Sequence, residues 1–112
     1  MKIYEGIRVN PGFKATLYVN GQLLDLGPSK INVRDYEADS PEWGYYGSGP
    51  SQTAAAILYD LTGNAEIAKK YHQDFKREFI AYYDQATGFK LLEIEIMLWL
   101  DKMMELENGE LQ

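Results

Sequence analysis

Alternation between apolar and polar positions opens the chain. Phe13, Ala15, Leu17 and Val19 alternate with Lys14, Thr16 and Tyr18, the period of a strand with one face against a core. Residues 2–9 carry a looser version, in which Ile3, Ile7 and Val9 share a face that Glu5 interrupts. Between the two lies Asn10-Pro11-Gly12, with proline suited to the first central position of a turn and glycine to the second, where φ turns positive. Asn20-Gly21 is a strong two-residue hairpin signal, and Gln22-Leu23-Leu24-Asp25 forms the return. A three-stranded antiparallel meander is predicted. Residues 30–34 read as a further extended piece that lengthens the sheet or crosses it.

No period is visible over residues 35–49, where Pro41, Gly44, Gly47 and Gly49 punctuate the chain. A loop of about fifteen residues in a small domain is either functional or disordered, and its aromatics argue against disorder. The period then changes to that of helices. The first starts near Pro50, a residue that suits the first helical position, with Ser48 or Gly49 as its cap. Ala54, Ala55, Ala56, Ile57, Leu58 and Leu61 give it a face able to approach the sheet closely, and Gly63 stops it. Asn64 caps a second helix, in which Ile67, Tyr71, Phe75 and Phe79 form a stripe that ends near Asp84. A third helix over residues 92–105 is apolar on more than one side: Leu92, Ile96, Trp99, Leu100 and Met103 make one face, and Ile94, Met97 and Leu98 lie outside it. Its second face would meet another helix, the piece near Ile31, or a partner chain, so a homodimer through this helix is one expectation. The acidic tail from Glu105 is expected to fray.

These elements define a single α+β domain over residues 1–112: a small three-stranded antiparallel sheet (1–34), the loop (35–49), and three helices (50–106) packed on the sheet. A chain of 112 residues can bury a core without metals or disulfides. There is no cysteine, which removes disulfides, thiolate metal sites and cysteine nucleophiles and suits a reducing cytoplasm. Neither a bilayer-spanning run nor a signal peptide is legible, so a cytoplasmic protein without a membrane partner is expected. The formal net charge is −6, concentrated in residues 51–112, which hold six basic and eleven acidic groups. Such a chain repels phosphate backbones, so direct nucleic-acid binding is not expected.

The most suggestive chemistry lies in residues 42–52, EWGYYGSGPSQ. Glycines leading into a helix can turn backbone N–H groups and the helix dipole toward an anion. Here Ser48, Ser51 and Gln52 would add donors, while Trp43, Tyr45 and Tyr46 could stack on a base or sugar. Yet the string matches neither phosphate-loop pattern and holds no lysine or arginine. The alternative is that Gly47 and Gly49 permit a chain reversal under aromatics that plug the sheet. His72, the only histidine, reads as a helix-surface residue, and no cofactor, metal or catalytic constellation is expected. Late carboxylates, Glu93, Glu95, Asp101, Glu105 and Glu107, read as a solvated or partner-facing surface.

The same stretch, Trp43-Gly44-Tyr45-Tyr46-Gly47-Ser48-Gly49-Pro50-Ser51-Gln52 followed by an alanine-rich helix, resembles the signature of an uncharacterised prokaryotic family, domain of unknown function 6166. That pattern runs approximately WGYGGSGPAQ, and the chain departs from it at Tyr46 and Ser51. Tyr71-His72-Gln73-Asp74-Phe75-Lys76 and the segment 94–100 also resemble family helices, as do the opening strands. The resemblance implies a small accessory protein of the kind found in bacteria, archaea, plasmids and phages. The leading expectation is a non-enzymatic protein-binding protein from a phage or mobile element that inhibits a host defence system, as anti-CRISPR proteins do. Its partner would be a host protein or complex, met by Trp43, Tyr45 and Tyr46 and the acidic third helix. The rival is a nucleotide or small-anion binder using Gly47, Ser48, Gly49, Ser51 and Gln52 as its cradle.

Overall fold

A computed structural model describes residues 1–9 and 14–110. The expected turn at Asn10-Pro11-Gly12 and the expected first residue of the second strand, Phe13, lie outside that range. The meander is present: β1 (Ile3–Ile7), β2 (Thr16–Val19) and β3 (Gln22–Leu23) pair antiparallel in sequence. Asn20 and Gly21 take φ of 50° and 79°, the paired positive angles of a turn whose twist matches that of the strands.

The sheet has a fourth strand where three were expected. β4 (Phe89–Leu92) pairs antiparallel with β1, giving the order β3-β2-β1-β4. Its alternation, Phe89 and Leu91 buried and Lys90 and Leu92 exposed, is only four residues long. It runs without a loop into α4 (Glu93–Glu110), so Leu92 reads equally well as helix. Glu95 marks the junction by accepting from the Leu92 N–H at 2.8 Å, the back half of a capping box. The helix runs to Glu110 rather than fraying from Glu105. Residues 30–34 are likewise not extended. Lys30, Ile31 and Asn32 close the short helix α1 (Gly27–Asn32), so the described residues form four α-helices. Pro28 at its start, Asp25 accepting from the Gly27 N–H and Asn32 donating to the Pro28 carbonyl supply local bonds that a strand pattern does not register.

The central element is α2 (Ser48–Thr62), with every residue from Pro50 to Leu58 buried. Its alanines present no bulk, so α1 and α3 (Ala65–Glu78) both pack closely against it. Gly63 ends α2 at φ 62°, and the Asn64 side chain caps α3 by accepting from the Glu66 and Ile67 N–H groups. The expected stripe on α3 is buried through Tyr71 and Phe75, but the helix stops at Glu78 and a 3-10 turn, Ile80–Tyr82, follows. Phe75, Phe79 and Trp99 form an aromatic triangle with centroids 5.2–5.9 Å apart, and this triangle seats α4 on α3.

Residues 33–47 carry no regular structure beyond bends, and they anchor to the core through Ala38 and Trp43 while Arg34, Asp35, Glu37, Asp39, Tyr45 and Tyr46 stay exposed. Trp43 is fully buried, edge-on to Phe89 at 5.1 Å, with its indole N–H donating to the Asp84 carbonyl at 3.1 Å. Phe89 in turn stacks on Tyr83 at 4.4 Å. A Cβ at Gly6 would come within 2.8 Å of the Trp43 ring, so this β1 position admits only glycine. Buried α2 side chains satisfy the backbone of the crossing loop. Gln52 accepts from the Tyr36 N–H (2.8 Å) and donates to the Arg34 carbonyl (3.0 Å) and Ser29 Oγ (2.9 Å). Thr53 accepts from the Glu42 N–H at 2.9 Å.

Replacing Gln52 by leucine keeps the volume and strands the Tyr36 N–H and the Arg34 carbonyl. Each hydrogen bond lost at these part-buried groups costs about 1 kcal/mol. Urea unfolding of Gln52→Leu should therefore show a loss of at least about 2 kcal/mol with an unchanged m-value.

Candidate functional site

The eight residues singled out in 42–52 divide by burial. Trp43, Ser51 and Gln52 belong to the interior, at 0%, 3% and 0% exposure. Ser51 Oγ accepts from Gln73 at 3.2 Å, and Gln52 is committed as described. Trp43 cannot meet a partner, Ser51 is closed off from solvent, and the Gln52 amide already donates to Ser29 and Arg34. Tyr45, Tyr46 and Ser48 are exposed, with Gly47 and Gly49 half-covered between them. Gly44 shapes the approach: its φ is +90°, and a Cβ there would come within 2.7 Å of Gln85 Cβ. Both the left-handed angle and the missing volume are required.

Tyr45 folds back over the start of α2, its hydroxyl 3.0 Å from where a Gly49 Cβ would stand. Burial and the nearby Glu42 carboxylate raise its pKa. Glu42 is itself held by Arg8, whose two terminal nitrogens reach both carboxylate oxygens. The Arg8 guanidinium lies 5.1 Å over the Trp43 ring, so one cation packs the loop and neutralises its acid.

The α2 N-terminus has no side-chain cap. Gly47 is the N-cap and brings no side chain, the first turn holds no acid, and no side chain accepts from it. Pro50 has no N–H, and the Ser51 N–H is taken by the Gly47 carbonyl at 3.1 Å. This leaves the Ser48 and Gly49 N–H groups, the positive end of the helix dipole. The second tyrosine of the pair, Tyr46, lies under a cation from another element: Lys76 Nζ of α3 is 5.5 Å from its ring centroid.

Sequence reasoning missed a polar cluster behind this surface. His72 is not a helix-surface residue; it is 5% exposed. Its Nδ1 lies 2.8 Å from the Ala68 carbonyl and 3.1 Å from that of Lys69, so Nδ1 carries the proton and donates. Nε2 is then the acceptor for the Tyr36 hydroxyl at 2.6 Å, and Gln73 donates to that same hydroxyl. Tyr36 also lies under the Arg34 guanidinium at 4.8 Å. The helical wheel placed His72 beside the stripe, but nothing in the sequence pointed to a loop tyrosine 36 positions away as the group that covers it.

The late carboxylates are also partly committed. Glu93 accepts from the Lys2 N–H at 2.9 Å, Glu95 caps α4, and Glu107 takes both Lys70 and the Tyr71 hydroxyl. Lys70 and that hydroxyl hold Glu107 below the usual carboxylate range, and the same bond pushes Tyr71 up to about 12. Asp101 and Glu105 remain exposed. Among the described residues no group of three or more His, Asp or Glu side chains is placed to hold a metal ion. No helix there is long and apolar enough to cross a membrane.

Fold and site together define a class: a small α+β protein with a four-stranded antiparallel sheet and an inserted aromatic loop locked onto a central alanine-rich helix. Within that class, residues 4–102 match the model of the Family of unknown function (DUF6166), and the chain belongs to that family. Nothing among curated proteins or solved structures matches it.

Burial holds His72 below its ordinary 6.5, and the Arg34 and Lys76 cations add to the effect. The unfolded chain therefore binds this proton more readily than the folded one, and stability falls as pH drops below 6.5 toward the lower folded value. Melting temperature should decline across that window, ahead of the acid loss expected when Glu107, lowered from 4.5, is protonated. His72→Gln should flatten the upper part of the profile; an unchanged slope would remove His72 as the titrating group.

Proposed function

We propose that the chain is a non-enzymatic accessory protein that acts by binding another protein, with α4 as its contact element. One observation carries the reading. Ile94, Leu98, Asp101 and Glu105 follow the i, i+4, i+7, i+11 spacing of a single helical stripe, and all four are exposed, Leu98 to 64%. The stripe is apolar at its start and acidic at its end. Leu92, exposed to 38%, lies on the outward face of β4 just before α4. Ile3 stands opposite Leu92 in the β1–β4 register.

Half-buried and exposed apolar side chains in one band with an acidic edge suit a partner that offers an apolar hollow rimmed by lysine or arginine. A standard interface covers about 800 Å² per partner, about an eighth of this chain's 6460 Å². The excess of acid over base across residues 51–112 speeds encounter with such a basic partner. Proteins that grip nucleic acid carry basic grooves of this sort. An inhibitor of a host defence complex, encoded by a phage or mobile element and comparable in action to anti-CRISPR proteins, is the concrete form of the proposal. Tyr45 and Tyr46 are open to the same partner, whereas the buried Trp43 is not.

A second copy of the chain is the other occupant the stripe could take, and one variant separates the two. Leu98→Lys should leave the melting temperature within a degree or two, because the side chain is exposed. In affinity capture from the host cell, the wild-type chain should retain a specific protein and Leu98→Lys should lose it at least tenfold. Wild type that runs at twice 12.8 kDa in light scattering, with Leu98→Lys at the single mass, would assign the stripe to self-association instead. Equal capture by both chains would overturn the role of α4.

A further inference from the structure

Strand alternation divides the sheet into a buried face and an exposed one. Tyr4, Leu17, Phe89 and Leu91 turn inward and are buried. Ile3 and Glu5 of β1, Tyr18 of β2, and Lys90 and Leu92 of β4 occupy the alternate positions and face the other way. An antiparallel sheet with one face on the core ordinarily presents polar residues on its second face. This one departs from that rule. Leu23, Ile7 and Leu92 are exposed to 68%, 41% and 38%, and the only charges beside them on the paired strands are Glu5 and Lys90.

Register decides which of these residues are neighbours. Leu92 stands opposite Ile3, and Lys90 opposite Glu5, across the β1–β4 pair. On the other side of Glu5 stands Tyr18, and opposite Tyr18 stands Leu23. Side chains directly opposite on one face lie close enough to form a continuous surface. The face is therefore apolar with one acid and one base near its middle, side by side. Neither Glu5 nor Lys90 belongs to an ion pair among the described residues.

We propose that this face packs against the same face of a second copy of the chain. Charge complementarity selects that occupant. A two-fold axis running along the strands, midway between β1 and β4, lays β1 of each copy across β4 of the other. Because Glu5 and Lys90 are opposite in register, the operation sets each Glu5 over the other copy's Lys90. It sets each Ile3 over the other copy's Leu92 in the same way. Packed sheets lie about 10 Å apart, a gap that a glutamate and a lysine extended toward each other can close. An axis between β1 and β2 would instead place Glu5 on Tyr18 and Lys90 on Leu23, leaving both charges on aromatic or aliphatic side chains. A strongly basic partner of the kind proposed for α4 would meet Lys90 with a like charge. Two strands of each copy cover less than the ~800 Å² of a standard interface, so the pair is reversible and forms as concentration rises. Nothing in this pairing depends on the α4 stripe.

Light scattering of the full chain at low ionic strength, from micromolar to millimolar concentration, provides the test. The wild-type mass should rise from 12.8 kDa toward twice that value. Glu5→Lys and Lys90→Glu should each weaken association at least tenfold, because like charges then face each other twice across the axis. An equimolar mixture of the two variants should recover the wild-type association, since each copy then meets the opposite charge at both positions. A purely intrachain effect gives no such recovery, because every variant chain in the mixture keeps its own like-charged cross-strand pair. Leu92→Ser reaches the same contact without a change of charge and should also weaken it, whereas Leu98→Lys on α4 should associate as wild type does. A wild-type mass that stays at 12.8 kDa throughout, undiminished association of both charge variants, or a mixture no stronger than either variant alone would each overturn the pairing. Association lost in Leu98→Lys but kept in both charge variants would overturn it as well, by placing the contact on α4.

Discussion

Residues 33–47 run along α2 without a strand or helix to satisfy their polar groups, and they send Ala38 and Trp43 into the interior. That constraint organises the molecule. A buried peptide group without a partner costs as much as a lost hydrogen bond, so the interior must supply polar side chains at defined places. Gln52 and Thr53 do so from the first turns of α2, holding Tyr36, Arg34 and Glu42. Trp43 and the Gly44 N–H, which donates to the Ile80 carbonyl at 3.0 Å, tie the same loop to the segment after α3. The loop is thereby a structural layer, and α2 must be buried on all sides to serve it.

Other features follow from that arrangement. Burying Trp43 against Phe89 fixes where β4 can lie and forbids a side chain at Gly6. Covering α2 with small residues leaves the larger aromatics to α3 and α4, where Phe75, Phe79 and Trp99 join the last helix to the body. With that face used, the opposite stripe of α4 is left exposed among the described residues. The result is a molecule 49 Å long and 26 Å by 25 Å across.

Charge is distributed with similar economy. The overall excess is acidic, but several acids perform local tasks: Glu42 balances Arg8, Glu95 caps α4, and Glu107 binds Lys70 and Tyr71. What is left includes the acidic end of the α4 stripe, Asp101 and Glu105, both exposed.

Much of the fold was legible locally. Alternation marked β2, Asn20-Gly21 marked the hairpin, and Gly63-Asn64 marked the end of one helix and the cap of the next, because each depends on the backbone preferences of a few adjacent residues. The signature at residues 43–52 likewise placed the chain in its family. The short strand β4 was hidden because its pairing with β1 joins residues far apart in the chain, and four alternating residues merge into the helix that follows. Residues 30–34 were misread because helix α1 rests on local side-chain bonds rather than on period. The candidate site shows the same division. Tyr45 and Tyr46 could be named from sequence as exposed aromatics, but Trp43, Ser51 and Gln52 are interior because the loop folds inward. Only packing covers His72 with Tyr36 and carries Lys76 to the glycine-rich turn. Short-range preferences set the elements; long-range contacts set which polar groups are buried, and with them the chemistry.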